Sequence, residues 1–244
     1  MQKKKLITTV CFGLVCIAIG ICGFKADNRI AVQTVSNNIA QSNNKPVITI
    51  DAGHGGMDGG CVSINNKCEK DINLNILLSL RDMAKIMGYN PVCTRESDVS
   101  IHDKNIKGVA KQKKSDMDKR LEIINQNENG IAVSIHQNQF TDPKFHGAQM
   151  FYCSKIAESE QFADIMQKQF VSKLQPDNKR ETKPVTDELY LLCNAKCPAI
   201  MIECGFLSNK EEADKLENKD YQKQVAFTIF SGISDFESQM MNAN

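Results

Sequence analysis

The sequence predicts an α/β domain, a sheet covered on both faces by helices, behind an N-terminal membrane segment. Three observations carry this. Short apolar runs of strand length alternate with stretches of helical periodicity from Pro46 onward. The chain of 244 residues suffices for one sizeable α/β domain plus an appendage. The third is an uncharged 19-residue run near the start, LITTVCFGLVCIAIGICGF, residues 6–24.

That run approaches the ~20 residues that span a hydrocarbon core. Lys3, Lys4 and Lys5 precede it and orient it N-in. Residues 1–25 therefore read as a membrane anchor, with a cleaved signal segment as the alternative. Cleavage after Ala26 would place the bulky Phe24 at the −3 position, and Ile21 before Cys22 fails the lipoprotein pattern. On either reading the rest of the chain is exported. Residues 26–45, rich in Asn, Ser and Gln, read as a polar tether. The domain proper is expected over 46–237 and a tail over 238–244. Setting aside Lys3, Lys4, Lys5 and Lys25 leaves 26 of the 30 basic residues against 29 acids. So slight an acidic balance argues against nucleic acid as a partner.

The elements of the domain follow in order. VITI (47–50) reads as a short buried strand. Leu74, Leu77, Leu80, Ala84 and Met87 recur at helical spacing, and Gly88 follows as a C-terminal cap. PVCT (91–94) is a strand, residues 98–115 a polar, lysine-rich loop, and 116–128 a helix with Leu121 and Ile124 inward. IAVSIH (131–136) and GAQMFY (147–152) are strands; Phe162, Ile165, Met166, Phe170 and Leu174 mark a helix. Tyr190–Leu192 and AIMIE (199–203) are read as strands, and Ser208 with Glu211 as a capping box opening a short helix. Ala226, Ile229, Phe230 and Ile233 form the inner face of a C-terminal helix. Of the ten cysteines, Cys11, Cys16 and Cys22 lie in the apolar run; the seven others are odd in number, with Cys61–Cys68 and Cys193–Cys197 as candidate bridges.

Ligands of open α/β sheets collect beyond the C-terminal ends of the strands. Three notable residues sit there: His54 in the glycine-rich turn after the first strand, His136 closing IAVSIH, and Glu203 closing AIMIE. A catalytic zinc takes three protein ligands from His and Asp or Glu and keeps a fourth position for water. Glu69, entering the first helix, is placed to swing back toward the two histidines. Each also has an ordinary reading: a hydrogen-bonded strand-end histidine, a glutamate favouring the helix dipole, a strand-end glutamate facing solvent. His102 and His146 lie in polar loops without such a setting. Glu203 ends an apolar strand, and burial there would raise its pKa toward the range where it both accepts and donates a proton.

IDAGHGG (50–56) with Glu69, SIHQN (134–138) and PAIMIECGFLSN (198–209) together resemble the zinc-dependent N-acetylmuramoyl-L-alanine amidases of the Amidase_3 type. TRESD (94–98) and Gly147 also match that layout, and the resemblance covers residues 46–237. It implies a single-domain mixed sheet of about six strands flanked by helices, and one zinc ion (Zn2+). His54, Glu69 and His136 would be the metal ligands and Glu203 the general base, then the general acid. Hydrolysis of the amide between N-acetylmuramic acid and L-alanine is the implied reaction. The partner is then a peptidoglycan glycan strand with its stem peptide. Asn138 is a further candidate substrate contact, and Arg95 either anchors a substrate carboxylate or supports its strand. Gln137 departs from the small residue usual in the family and bears on substrate fit. The glycines around His54 are expected to leave room for a rigid glycan. Lys104, Lys107, Lys111, Lys113 and Lys114 either face solvent or meet acidic groups of the stem peptide. One N-terminal membrane segment without a wall-binding module resembles the sporulation and germination amidases of the spore cortex. An exported activating partner protein is expected as well. The chain would face the cell wall or spore cortex, membrane-anchored or secreted. A zinc-dependent deacetylase of wall sugars and a catalytically silent wall-binding scaffold are the rival readings.

Overall fold

The computed structural model describes residues 45–242. The expected membrane segment (6–24) and most of the tether lie outside the described residues, in which no helix is long and apolar enough to cross a membrane. Six strands form one mixed sheet, β1 (Ile48–Ala52), β2 (Val92–Cys93), β3 (Ile131–Asn138), β4 (Gln149–Cys153), β5 (Lys183–Val185) and β6 (Ala199–Phe206). The spatial order is β2-β1-β3-β6-β4-β5. All neighbours are parallel except β4, which runs antiparallel to β6. Since β1, β3 and β6 are parallel neighbours, their C-terminal ends open onto one edge of the domain.

Helices cover both faces: α1 (Glu69–Ile86), α2 (Val109–Asn125), α3 (Ala157–Lys173), α4 (Tyr190–Asn194), α5 (Lys210–Glu217) and α6 (Lys219–Asn242). Ile76, Leu77 and Leu80 of α1, Phe162 and Phe170 of α3, and Ile229 and Phe236 of α6 pack on Ile48, Ile50, Ile200 and Ile202. On the opposite face Ile124 of α2 and Leu191 and Leu192 of α4 cluster with Ala132, Ala199 and Met201. Central parallel strands buried on both faces need continuous apolar runs rather than alternation, which is why VITI and AIMI are legible. Helix α1 ends as expected. Gly88, at φ 81°, places its N–H on the Lys85 carbonyl and that of Tyr89 on the Ala84 carbonyl, closing a Schellman motif.

Several expectations are corrected. Tyr190–Leu192 are helical, because a three-residue apolar run carries no period that separates strand from helix. Strand β5 went unseen because it is an exposed edge with no apolar pattern. Helix α2 begins at Val109, so Lys111, Lys113 and Lys114 occupy its exposed first turns rather than a loop. Asn209, not Ser208, caps α5, accepting the Glu212 N–H at 3.1 Å. Residues 238–242, expected as tail, continue α6. All seven cysteines in the described region are free.

One buried charge holds the site edge of the sheet. Asp51, on β1, is 1% exposed and accepts from Arg120 Nη1 at 2.6 Å, Thr94 Oγ1 at 2.7 Å and Ser134 Oγ at 2.6 Å. Arg120, equally buried, also reaches Asp116 at 2.6 Å and the carbonyls of Ala52 and His54 at 2.7 and 2.6 Å. Removing one partner of such a pair leaves an uncompensated buried charge. Arg120→Leu should therefore lower the unfolding free energy by about 3–5 kcal/mol. The urea midpoint should fall with little change in slope, and adding Asp51→Asn should recover part of the loss.

Candidate metal centre and active site

The turn after β1 is held in an unusual shape. His54 adopts φ 63°, a left-handed conformation that residues with a Cβ rarely take. Its carbonyl is gripped by Arg120 and its Nδ1 lies 3.0 Å from Asp58 Oδ2. Lys113 at 2.9 Å in turn holds the other Asp58 oxygen. This leaves His54 Nε2 facing Glu69 Oε2 at 3.3 Å. The glycines serve the side chains here. A Cβ on Gly53 would sit about 2.1 Å from the His136 ring, and one on Gly60 2.5 Å from Glu69 Oε2 and 2.7 Å from the His54 ring. Beside Gly55 and Gly56 the space is taken by the Val99–Ser100 backbone. The glycines are therefore demanded first by the protein's own packing around the two histidines and Glu69.

Glu69 opens α1 and is 2% exposed. Its Oε1 accepts from the Gln137 N–H at 3.0 Å and Asn73 Nδ2 at 3.1 Å, and lies 3.0 Å from His136 Nδ1. Its Oε2 accepts from the Cys61 N–H at 2.9 Å. Burial pushes this carboxyl's pKa up, but the hydrogen bonds and charges of His136 and His54 outweigh it and hold it well below the usual range. Burial likewise disfavours a charged His54, and Glu69 and Asp58 overcome that, raising its pKa. One donor atom from each of His54, Glu69 and His136 lies within 4.8 Å of the others. Two imidazoles and a carboxylate converging from three elements are the donor set of a catalytic zinc site, and these residues fit that ion.

Glu203 of β6 lies directly across from His136 of β3, and Gln149 of β4 lies across from Glu203 on the other side. Paired residues share a face, so His136, Glu203 and Gln149 form a row over three strands. Just past this row the β3–β6 register shifts between His136 and Asn138, an irregularity of the kind that re-aims side chains beside active sites. Glu203 is only partly buried, yet its Oε2 is shut from solvent and has no hydrogen-bond partner. Burial pushes its pKa up to about 7; His136 pulls it down and Glu69 adds to the rise.

The structure thus brings His54, Glu69, His136 and Glu203 together and separates the other candidates from them. Arg95 is 3% exposed and spends its guanidinium on the carbonyls of Ala52, Gly53, Lys70 and Ser97, at 2.8–3.1 Å. It braces the turn with four of its five N–H donors. Asn138 lies beyond the register shift, half-buried, its carbonyl accepting from the Leu207 N–H at 2.8 Å. Gln137 points away from the open edge: it is buried and donates to Asn73 Oδ1 at 3.1 Å, behind Glu69. His102 bonds Ser100 at 2.8 Å and His146 is exposed, both apart from the cluster. Sequence reasoning missed Asp58, Asn73 and Arg120. A signal existed for Asp58, four residues from His54 in the same turn; Asn73 and Arg120 carried none.

Comparison with known proteins agrees with this geometry. Residues 48–235 match the Amidase_3 family, described as N-acetylmuramoyl-L-alanine amidase. A germination-specific N-acetylmuramoyl-L-alanine amidase of Bacillus subtilis is 37% identical over 77% of this chain and 78% of its own. Among solved structures, the CwlD amidase of Clostridioides difficile, in complex with the GerS lipoprotein, superposes with TM-score 0.76 at 37% identity, over 80% of this chain and 99% of that one. The catalytic domain of CwlV, an N-acetylmuramoyl-L-alanine amidase from Bacillus (Paenibacillus) polymyxa, gives 0.66 at 27% identity, over 78% and 97%.

Two outcomes follow from the site. If His54 holds a metal, Asp58→Ala should weaken metal binding about 10- to 100-fold, the usual effect of losing a group that orients a ligating histidine; chelator competition measures it, and Asp58→Asn should lose less. Glu203 has a folded pKa of about 7 against an ordinary 4.5, so the stability of its protonated form is full below pH 4.5 and is lost as pH rises through 7. In metal-free protein, Glu203→Gln should gain about 2–3 kcal/mol over the parent between pH 5 and pH 8, read by denaturation at both.

Proposed function

The chain belongs to the Amidase_3 family of N-acetylmuramoyl-L-alanine amidases, and we propose that it cleaves the muramoyl–L-alanine amide of peptidoglycan with one zinc ion, in the spore cortex. The observation that carries the chemistry is the row of His136 and Glu203 beside His54 and Glu69. His54, Glu69 and His136 would hold the zinc. When bound, zinc supplies Lewis-acid activation of water and of the amide carbonyl. Glu203 takes the proton of the attacking water on its carboxylate as the new C–O bond forms. It then delivers that proton to the alanine nitrogen as the C–N bond breaks. A pKa of about 7 suits both halves, since the group is neither too weak a base nor too weak an acid near neutrality. The products are a muramic acid carboxylate and a stem peptide with a free L-alanine amino group.

The cortex setting, and spore germination as the process served, are supported by the likeness to the germination-specific Bacillus relative and to CwlD. The complex of CwlD with the GerS lipoprotein supports an exported partner here as well. The apolar run 6–24 supports a site on the outer face of the membrane, reached by anchoring or secretion.

The test is to incubate the zinc-loaded chain from residue 26 onward with peptidoglycan and analyse the products by mass spectrometry. Peptide-free muramic acid and stem peptides beginning with L-alanine are expected, and Glu203→Gln should cut the rate about 10²- to 10⁴-fold while retaining zinc. Release of acetate instead would mean a sugar deacetylase. If zinc is bound and nothing is released even with exported partner proteins added, the scaffold reading replaces this one.

A further inference from the structure

Arg180 stands at the far end of the row that begins with the metal ligands. Its guanidinium donates through Nη2 to Gln149 Oε1, and Gln149 is the cross-strand neighbour of Glu203. The carbon of the guanidinium lies 5.0 Å from the centre of the Phe206 ring, over its face. Its Nε is buried with no hydrogen-bond partner, and no carboxylate lies within ion-pair distance of it among the described residues. Burial weighs against its charge, and Glu212 and Glu203, the acidic groups that act on it, offset this only in part. A partly buried guanidinium with donors to spare and no anion is an unfinished pair, because such a fork matches a carboxylate with two parallel bonds.

The segment that carries it is pinned. Gln175 accepts from the Ala148 N–H at 2.7 Å and donates to the Cys204 carbonyl at 3.0 Å. Asn178, buried against Gly147, donates to the Ala148 carbonyl at 2.8 Å and accepts from the Arg180 N–H at 2.9 Å. Gln149 closes the loop by donating to the Glu181 carbonyl at 2.8 Å. Side chains held by such a frame are oriented before a ligand arrives, which lowers the ordering cost of binding.

We propose that Arg180 recognises a carboxylate on the leaving stem peptide, one residue beyond the L-alanine, and so selects peptides in which that group is free rather than amidated. The inference rests on the amidase reading. The scissile carbonyl belongs on the His136 side of Glu203 and the alanine nitrogen against Glu203, so the peptide continues toward Gln149 and Arg180. Strands lie about 4.8 Å apart, and two peptide residues span roughly 7 Å. A carboxylate on the second residue therefore comes within reach of a long side chain anchored at Gln149. Arg180 acts on specificity and takes no part in the proton transfers.

The experiment uses the full-length zinc-loaded chain in mild detergent, with two muropeptides that differ only in a free or amidated carboxyl on the residue after L-alanine. The ratio of kcat/KM, acid over amide, should be about 10–100 for the parent, the worth of one charge-assisted pair. Arg180→Gln should bring it to about 1, chiefly through KM, and Arg180→Lys should fall between. A ratio near 1 in the parent, or one unchanged in Arg180→Gln, overturns the proposal. So does an equal loss on both substrates with a displaced acid limb of the pH profile, which would mean that Arg180 serves Glu203 alone. A parallel measurement, equilibrium binding of the free stem peptide in its acid and amidated forms, reads Arg180 without cleavage. An Arg180-dependent preference in binding with neither substrate hydrolysed sinks the amidase reading and leaves the carboxylate site standing; no preference in either assay sinks the site.

Discussion

The active edge depends on a buried ion pair, Arg120 with Asp51. Two charges removed from water are expensive unless the remaining donors and acceptors are also satisfied. Here they are satisfied by the parts of the site itself. Arg120 spends its surplus donors on the carbonyls of Ala52 and His54, and Asp51 collects hydroxyls from Thr94 and Ser134. The pair therefore ties α2, β1, β3 and the residue after β2 to one point, the place where the chain leaves β1. The left-handed backbone at His54 is tolerated because its carbonyl is fixed from outside. Arg95 repeats the device, bonding four carbonyls around the same turn. Two buried guanidinium groups hold a glycine-rich loop that has few side chains of its own to hold it.

On that frame, two carboxylates a short distance apart are driven in opposite directions. Glu69 is surrounded by donors, two imidazoles and the backbone N–H groups of Cys61 and Gln137, and stays ionised. Glu203 has an orphaned oxygen and little to favour its charge, so its pKa rises to about 7. The division of labour follows from environment and not from residue type. One carboxylate is suited to hold a metal, as proposed; the other is suited to exchange a proton.

How much of this was legible depends on where each residue's role resides. His54, His136 and Glu203 announce themselves because strand ends are legible from apolar runs, and a polar residue closing such a run is conspicuous. Glu69 needed the motif around it, since a glutamate opening a helix is commonplace. Arg120 and Asn73 were hidden: each belongs to a helix whose apolar stripe is all that periodicity reports, and the partners that tie them to the site lie 20 to 69 positions away, in β1, in the turn after it and in β3. Gln137 was expected to bear on substrate fit, and Arg95 was left open between a substrate carboxylate and its own strand. A strand residue one position from a ligand points to the opposite face, so Gln137 supports Glu69 from behind. An arginine in a conspicuous motif says nothing of whether its donors are already spent.

The same reasoning separates Arg95 from Arg180. Both sit near the site, both are at least partly buried, and both follow short strands or loops rich in polar residues. Arg95 has four backbone carbonyls around its guanidinium, one of them on its Nε, so its charge is dispersed into the backbone. Arg180 has one side-chain acceptor, an aromatic face beneath it, and an Nε with nothing to bond. Proteins rarely leave a buried donor in that condition. Where one is left near Glu203, on a loop locked by Gln175 and Asn178, the missing acceptor is, on the proposal above, supplied by what binds there. An acidic stem peptide leaving past Glu203, as proposed, would have the charge and the direction required.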